Sequence, residues 1–413
     1  MYPLKNIKWY LLLCLVVLCS PFFTKAQSFY ISSHKKQVKF RFQLVRDMMV
    51  VPVYINTKGP YNFIIDSGVG LMIITDPNLI DSISIFNKRT IKLYGAVGTT
   101  ESFEAYATSE LDVRLPGDIR SRLVSAAIFK QDHFGLSNYA GMRIHGILGY
   151  EFFSQLAVKI NFSDSTIIAA SSGTFKPFRG KKGMVIPLSI EERKPYIKTN
   201  IILPDGCPAE SKFIVDLGAG HPLSLENLEQ YKNYFHKSIV ANLGIGLTGP
   251  VNGYISRIDE FSLGKYKFNN VIASFPDNNN PVNYLVPRDG NLGLGILKKF
   301  FIVMDYEKGQ MFLKPNYKFK EPFEHDMSGM EYFATGEDFR RVIISRVEPG
   351  SAADEAGIMA NDEILAINFK PVDKMKIVDI DNLFKSKNER SILVEINRSK
   401  KLETVVLTLK RRI

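Results

Sequence analysis

The sequence contains little cysteine: three residues in 413, at positions 14, 19 and 207. The first two fall in an amino-terminal segment with its own character. Cys207 is therefore left without a partner for an internal disulfide, and stability must come from packing. After residue 26 no apolar run approaches the roughly 20 residues of a membrane-spanning helix. Hydrophobic residues make up 45% and charged residues 23% of the composition, which is typical of soluble globular proteins and, at this length, of two or three domains.

The first 26 residues have the pattern of a secretory signal. Lys5 and Lys8 precede an apolar run over residues 9–23, and the small-residue exit ends at Ala26. An uncleaved anchor is the alternative, but the run is shorter than a spanning helix requires. We expect cleavage after Ala26, export to a periplasm or the extracellular space, and no stable membrane span afterwards.

The charge pattern argues against nucleic acid as a partner. The formal net charge is +11, from 53 basic and 42 acidic residues. Loss of Lys5, Lys8 and Lys25 with the signal leaves +8. The basic residues are scattered, without the long basic run and interleaved aromatics of a nucleic-acid surface.

No cofactor or metal is expected. The six histidines lack the short spacings of zinc ligands. Residues 244–249 have the glycine spacing of a dinucleotide-binding turn, but Pro250 and Gly253 follow where the phosphate-binding helix should begin.

An internal repeat organises residues 40–315. Residues 63–70 (FIIDSGVG) match residues 213–220 (FIVDLGAG), and in each copy a strand-like stretch and a turn come before. Residues 146–162 align without a gap on residues 290–306. In both copies a short helix-compatible piece follows the glycine, and then an apolar strand.

These patterns predict a mainly-β chain with two similar lobes. The Ser-, Gly- and Lys-rich stretch at 171–183 is typical of an exposed connection. We therefore place one lobe at 27–170, the second at 184–315 and a further domain at 326–413.

The repeat carries an aspartate to equivalent points of both lobes, Asp66 and Asp216. If the lobes pack about a two-fold axis, these side chains meet. Two carboxylates a few ångström apart share one proton, because both cannot ionise easily. The ionised member can activate a water molecule while the protonated member polarises a peptide carbonyl.

The doubled Asp-x-Gly, followed in each copy by an apolar-Gly element at Gly149 or Gly293, resembles the signature of the retropepsin-like aspartic proteases. The resemblance covers about residues 40–315 and implies a pseudo-symmetric, two-lobed fold. It implies roles for the following residues. Asp66 and Asp216 would be the catalytic dyad, Gly68 and Gly218 would shape the turns, Ser67 would brace the other lobe, and Gly95 and Gly246 would lie in flaps over the substrate.

One departure from that family concerns the brace. Leu217 stands where the family has Thr or Ser, so one of two reciprocal hydroxyls is absent. Because both lobes lie in one chain, a monomer is sufficient to form the dyad.

The C-terminal part resembles the PDZ domains of bacterial HtrA-type proteases. A strand at 342–347, a short helix begun by Ser351 and ended by Gly357, and a strand at 362–368 follow one another. PDZ domains bind an extended peptide or chain end at a strand edge. The resemblance places the main-chain cradle for a carboxylate in a short loop that comprises Gly329, Met330, Glu331, Tyr332 and Phe333.

The sequence therefore predicts an exported aspartic endopeptidase whose PDZ domain binds a polypeptide substrate or a peptide C-terminus. The alternative, favoured by Leu217, is a non-catalytic peptide-binding protein that keeps the protease fold. A protease that acts on one dedicated partner is a third interpretation.

Overall fold

The computed structural model describes residues 28–85, 87–94, 102–202, 208–226, 238–246, 249–277 and 285–413. The proposed signal at 1–26 lies outside these ranges. Strands dominate the described chain, so the prediction of a mainly-β protein is confirmed. Within the same ranges, no helix has the length and apolar character needed to cross a membrane.

Two similar units precede the C-terminal domain, and we call them the first half and the second half. The first half contains strands β1 to β12 and helices α1 to α3. Their bounds are β1 Tyr30–Ile31, β2 Gln37–Arg41, β3 Gln43–Val45, β4 Met48–Ile55, β5 Lys58–Ile65, β6 Met72–Ile74, α1 Leu79–Ser82, β7 Arg89–Tyr94, β8 Ser102–Leu115, β9 Ile119–Phe129, α2 Leu136–Ala140, β10 Gly146–Leu148, α3 Tyr150–Phe153, β11 Leu156–Asn161 and β12 Thr166–Ser171.

The second half, residues 184–320, contains strands β13 to β23, helix α4 and a 3-10 turn. Their bounds are β13 Met184–Pro187, β14 Ser189–Glu191, β15 Lys194–Ile202, β16 Pro208–Val215, β17 Leu223–Leu225, β18 Ser238–Gly246, β19 Gly249–Leu263, β20 Tyr266–Pro276, β21 Gly290–Leu292, α4 Leu294–Leu297, β22 Phe300–Asp305, β23 Gln310–Pro315 and the 3-10 turn Tyr317–Lys320.

The C-terminal domain contains the remaining elements. Their bounds are β24 Met330–Thr335, β25 Arg341–Val347, α5 Ala352–Glu355, β26 Glu363–Ile367, β27 Lys370–Pro371, the 3-10 turn Val372–Lys374, α6 Ile377–Phe384, β28 Ser391–Arg398 and β29 Lys401–Thr408. The predicted helix start is confirmed, because the Ser351 hydroxyl accepts a hydrogen bond from the Asp354 N–H.

The first half and the second half have the same strand order. One sheet runs β3-β4-β5-β10-β6-β9-β8-β7, and the other runs β14-β15-β16-β21-β17-β20-β19-β18. The register also repeats, since Phe63 pairs with Gly146 in a parallel ladder and Phe213 pairs with Gly290 in another. The same apolar pattern in the two copies thus gives the same pairing.

A six-stranded sheet joins the halves, in the order β2-β12-β11-β22-β23-β13. Its central pair, β11 and β22, is antiparallel and takes one strand from each half. Buried and exposed residues alternate along its edge strand β2. Val38 and Phe40 are buried and their neighbours are exposed, as expected for a strand with one face on the core. One hydrophobic core, which includes Phe153, Phe213 and Phe300, runs through both halves.

The C-terminal domain has its own core around Ile344, Ile364 and Phe384. Its strands form a separate sheet in the order β24-β25-β26-β28-β29, and β27 pairs with β26. The chain end returns toward the second half, where Ile413 packs with Ala241 and Ile255.

His325, which precedes this domain, should make the fold sensitive to acid. Burial, aided by the positive charges of Lys385 and Arg412, lowers the pKa of His325 to about 4 and outweighs its bond to the Asp326 carbonyl. The unfolded chain, with a pKa of about 6.5, then binds the proton first. The stability that neutral His325 contributes is therefore fully present above about pH 6.5 and is lost as the pH falls toward 4.

We expect His325→Gln to reduce this loss. Urea unfolding at pH 7 and pH 4.5 would give the change in the free energy of unfolding for each chain. The wild type should lose more stability than the variant, and exposed His34→Gln should behave as wild type. Equal losses in the wild type and His325→Gln would show that the histidine is not responsible.

Candidate active site and peptide-binding domain

Equivalent turns carry the two predicted aspartates. Asp66 follows the last residue of β5, and its N–H donates to the Leu148 carbonyl over 3.0 Å. Asp216 follows the last residue of β16, and its N–H donates to the Leu292 carbonyl over 2.9 Å. The parallel strand pairs of the two halves therefore set both positions.

The two carboxyl groups face each other. The N–H of Gly68 donates to Asp66 Oδ1 over 2.7 Å, and the N–H of Gly218 donates to Asp216 Oδ1 over 2.8 Å. A Cβ on Gly68 would lie 2.7 Å from Asp216 Oδ2, and a Cβ on Gly218 would overlap the Asp66 carboxyl. Glycine is required here because each backbone turn lies against the opposite carboxyl.

The pair is arranged to share a proton. Burial, followed by the negative charge of Asp216 and a hydrogen bond to it, raises the pKa of Asp66 well above its ordinary value. Asp66 therefore keeps a proton at a pH where a carboxyl in water has lost it. The Lys194 ammonium lies near both groups, and burial lowers its pKa.

Asn291 makes the two halves of the site unequal. Its Nδ2 donates to Asp216 Oδ2 over 2.7 Å. Asp216 thus accepts a side-chain hydrogen bond that the equivalent residue of the first half, Ile147, cannot supply. The signal for Asn291 was present in the sequence, because the gap-free alignment sets it opposite apolar Ile147.

His221 also lies beside Asp216, and the sequence did not identify it. Burial lowers its pKa, while the negative charge of Asp216 opposes that change. Its Nε2 and the Asn291 Oδ1 are both buried without a hydrogen-bond partner that meets normal geometry. The first copy has Leu71 at the position equivalent to His221, so the repeat does not single out this histidine. Its spacing from Asp216 matches no known motif either.

Ser67 joins the two halves below the carboxyl groups. Its buried Oγ donates to the Val215 carbonyl over 2.7 Å and accepts from the Leu217 N–H over 2.9 Å. The Leu217 side chain is fully buried in the shared core. One hydroxyl of the first half thus satisfies two main-chain groups of the second half. Leu217, the equivalent residue of the second half, has no hydroxyl with which to make the reciprocal bonds.

The positions predicted for flaps are only partly described. Gly95 lies outside the described residues. Gly246 ends β18 and pairs with Gly249 across a hairpin. This hairpin and the one formed by β7 and β8 occupy equivalent ends of the two sheets.

The predicted carboxylate cradle differs in form from the expectation. Only Gly329 precedes the strand, while Met330, Glu331, Tyr332 and Phe333 belong to β24. The Gly329 N–H donates to Asp326 Oδ1 over 2.9 Å. The Met330 N–H donates to the Ser328 hydroxyl over 3.1 Å. A carboxylate of the chain itself therefore already occupies part of this loop.

Comparison with known proteins identifies the C-terminal domain. Residues 343–398 match the family model described as PDZ domain. The prediction of a C-terminal PDZ domain is confirmed, and this family binds peptides or proteins. No curated protein matches the chain.

The contact made by Ser67 predicts a large loss of stability on its removal. Ser67→Ala would leave the Val215 carbonyl and the Leu217 N–H buried without partners, which should lower the free energy of unfolding by about 2 kcal/mol or more. Thermal or urea unfolding measures this change.

Ser274→Ala is the matched control, because that buried hydroxyl makes one bond of 3.2 Å to Leu223 within a single half. It should cost about 1 kcal/mol. A loss for Ser67→Ala no greater than that of the control would mean that the bridge between the halves adds little.

Proposed function

We propose that the chain is an aspartic endopeptidase in which Asp66 and Asp216 act as the catalytic dyad. The observation that carries the proposal is the meeting of two carboxyl groups, one from each half, on equivalent turns. The repeated strand order and the sheet shared between the halves support the resemblance to two-lobed aspartic proteases. The segment at 1–26 supports export, which we include in the proposal.

The geometry supports a division of roles within the pair. Asp216, with Asn291 as donor, would take a proton from a water molecule while that water attacks the peptide carbonyl carbon. Asp66 would give its proton to the carbonyl oxygen, so that a neutral tetrahedral intermediate forms. Transfer of a proton to the amide nitrogen would then let the C–N bond break and release an amine and a carboxylic acid.

The PDZ domain supplies a second place for polypeptide. It would bind a segment of the substrate or of a partner and raise its concentration near the dyad. It contacts both halves, since Glu331 accepts from Asn242 of β18 over 3.1 Å and Asp381 pairs with Arg46.

Substitution of either aspartate tests the hydrolytic proposal. Residues 27–413 would be incubated with a peptide library from acidic to neutral pH, and new termini would be identified by mass spectrometry. Asp66→Asn and Asp216→Asn should each lower turnover by at least about 10²-fold, because general acid and base steps contribute that much. Asp81→Asn, an exposed carboxylate on α1, is the control and should retain activity.

A specific observation favours the alternative of a non-catalytic peptide binder, namely the buried Leu217 in place of a hydroxyl. Absence of any aspartate-dependent cleavage would support it. Stabilisation of the fold by a pepstatin-like inhibitor, in a chain that cleaves no library peptide, would instead indicate a protease for one dedicated partner.

Asn291→Ile tests the unequal roles of the two halves. Removal of the donor to Asp216 should lower kcat by about tenfold, since a hydrogen bond to a charged group is worth roughly 1.5 kcal/mol or more. KM should change little, because Asn291 contacts the carboxylate and not the substrate. Ile147→Val changes the equivalent strand position of the first half and should leave kcat near the wild-type value. A change in KM alone would contradict the role.

A further inference from the structure

Strand β24 stands at one end of the sheet of the PDZ domain, with β25 on its other side. PDZ domains accept an extended peptide as an added strand at such an edge. Helix α6 lies beside it, since the rings of Tyr332 and Phe384 meet edge to face at 5.7 Å. The space between β24 and α6 is therefore the place to examine for a ligand, and we call it the β24–α6 groove.

The side chain of Arg46, from the first half, fills part of this groove. Its guanidinium makes a two-pronged contact with Asp381 of α6, with N–O distances of 2.7 and 2.9 Å. Nη1 donates to the Tyr332 carbonyl of β24 over 3.1 Å. The guanidinium also lies 4.7 Å from the ring centres of Tyr139 and Tyr332. Only 6% of the side chain is exposed.

The segment after α2 covers a second part of the groove. A Cβ placed on Gly141 would lie 3.5 Å from the Ala334 Cβ in β24 and 3.4 Å from the Ile377 Cβ in α6. Val45, next to Arg46, packs against the core of the PDZ domain. The first half thus covers parts of both the strand edge and the helix.

The equivalent turn of the second half is exposed, so the contact of Arg46 with the PDZ domain is not a consequence of the internal repeat. Arg46 and Asp47 join β3 to β4, and Glu192 and Arg193 join β14 to β15; all four residues have positive φ. Glu192 and Arg193 are exposed. The same turn is therefore exposed in one half and enclosed by the PDZ domain in the other.

The cradle loop bears on the chemistry of the ligand. Asp326 Oδ1 already accepts from the N–H groups of Ser328 and Gly329, both over 2.9 Å. A peptide carboxylate would have to compete with this internal carboxylate. By contrast, withdrawal of the first half takes Arg46 and Tyr139 away together and leaves the Asp381 carboxylate and the face of Tyr332 without their cation, an arrangement that suits another guanidinium.

We propose that the β24–α6 groove binds an extended, internal peptide segment that carries an arginine side chain, and that this arginine replaces Arg46 on Asp381. Arg46 is the chain's own occupant of the arginine position. A ligand binds only in the fraction of molecules in which the first half has withdrawn, so its apparent affinity is reduced by that fraction. The inference rests on the peptide-binding part of the proposed function and not on hydrolysis.

A binding experiment tests this directly. The probe is a fluorescent heptapeptide of alternating threonine and valine with one central arginine, acetylated and amidated at its ends. All chains carry Asp66→Asn, so that cleavage does not interfere. Arg46→Ala should raise the affinity for this probe by at least about tenfold, because the competing cation is gone. The same peptide with a central glutamine should gain much less.

Two further variants serve as controls. Arg193→Ala, at the exposed turn of the second half, should leave the affinity unchanged. Asp381→Asn, added to Arg46→Ala, should abolish the gain. Equal affinity of the wild type and Arg46→Ala, including binding by neither, overturns the proposal. So does tighter binding of a peptide that has a free carboxylate and no arginine.

A disulfide lock keeps the proposal testable if Arg46→Ala fails to fold. The pair Gly141→Cys and Ala334→Cys, in a chain with Cys207→Ser, would place its Cβ atoms near 3.5 Å apart, within the range of a disulfide. The oxidised chain should lose binding of the arginine probe, and reduction should restore it. Undiminished binding by the oxidised chain contradicts a ligand in this groove.

Discussion

Two carboxyl groups meet in the middle of the molecule, and the surrounding structure is built to permit that contact. Burial and like charge both oppose ionisation of a second carboxylate, so the pair is stable only with a shared proton and donors around it. Main-chain N–H groups of Gly68 and Gly218 and the amide of Asn291 supply the donors. Ser67 fixes the two turns to each other beneath the pair. The seam between the halves is therefore both a packing interface and the candidate active site.

Symmetry brings the carboxyl groups together, and departures from symmetry give them different properties. Asn291 replaces an apolar residue next to one aspartate only, and Leu217 replaces a hydroxyl on the same side. A symmetric pair would have no preferred site for the proton. The second half thus adds a donor to Asp216, while burial and the negative charge of Asp216 raise the pKa of Asp66.

Sequence reasoning reached the features that depend on local pattern. The gap-free alignment of the two copies anticipated the matched strands that end at Ile65 and Val215, and composition and turn residues anticipated the helix start at Ser351. Contacts between distant segments were out of reach. Nothing in the spacing of Arg46 and Asp381, 335 residues apart, indicates that they pair. The cradle is a different case, because Asp326 accepts from the N–H groups of Ser328 and Gly329, only two and three residues further along the chain, in a local turn.

The turn that enters the PDZ groove also packs against the segment that follows Asp216. Asp47, beside Arg46, accepts from Lys298 over 2.6 Å. Its Cβ would lie 3.2 Å from a Cβ on Gly220, four residues after Asp216. A two-residue turn has little freedom to move at one residue without the other, because both have positive φ and sit between paired strands. If a ligand displaces Arg46, as proposed, the packing of Asp47 against Gly220 would change with it, and by linkage a ligand bound beside Asp216 would in turn affect the groove.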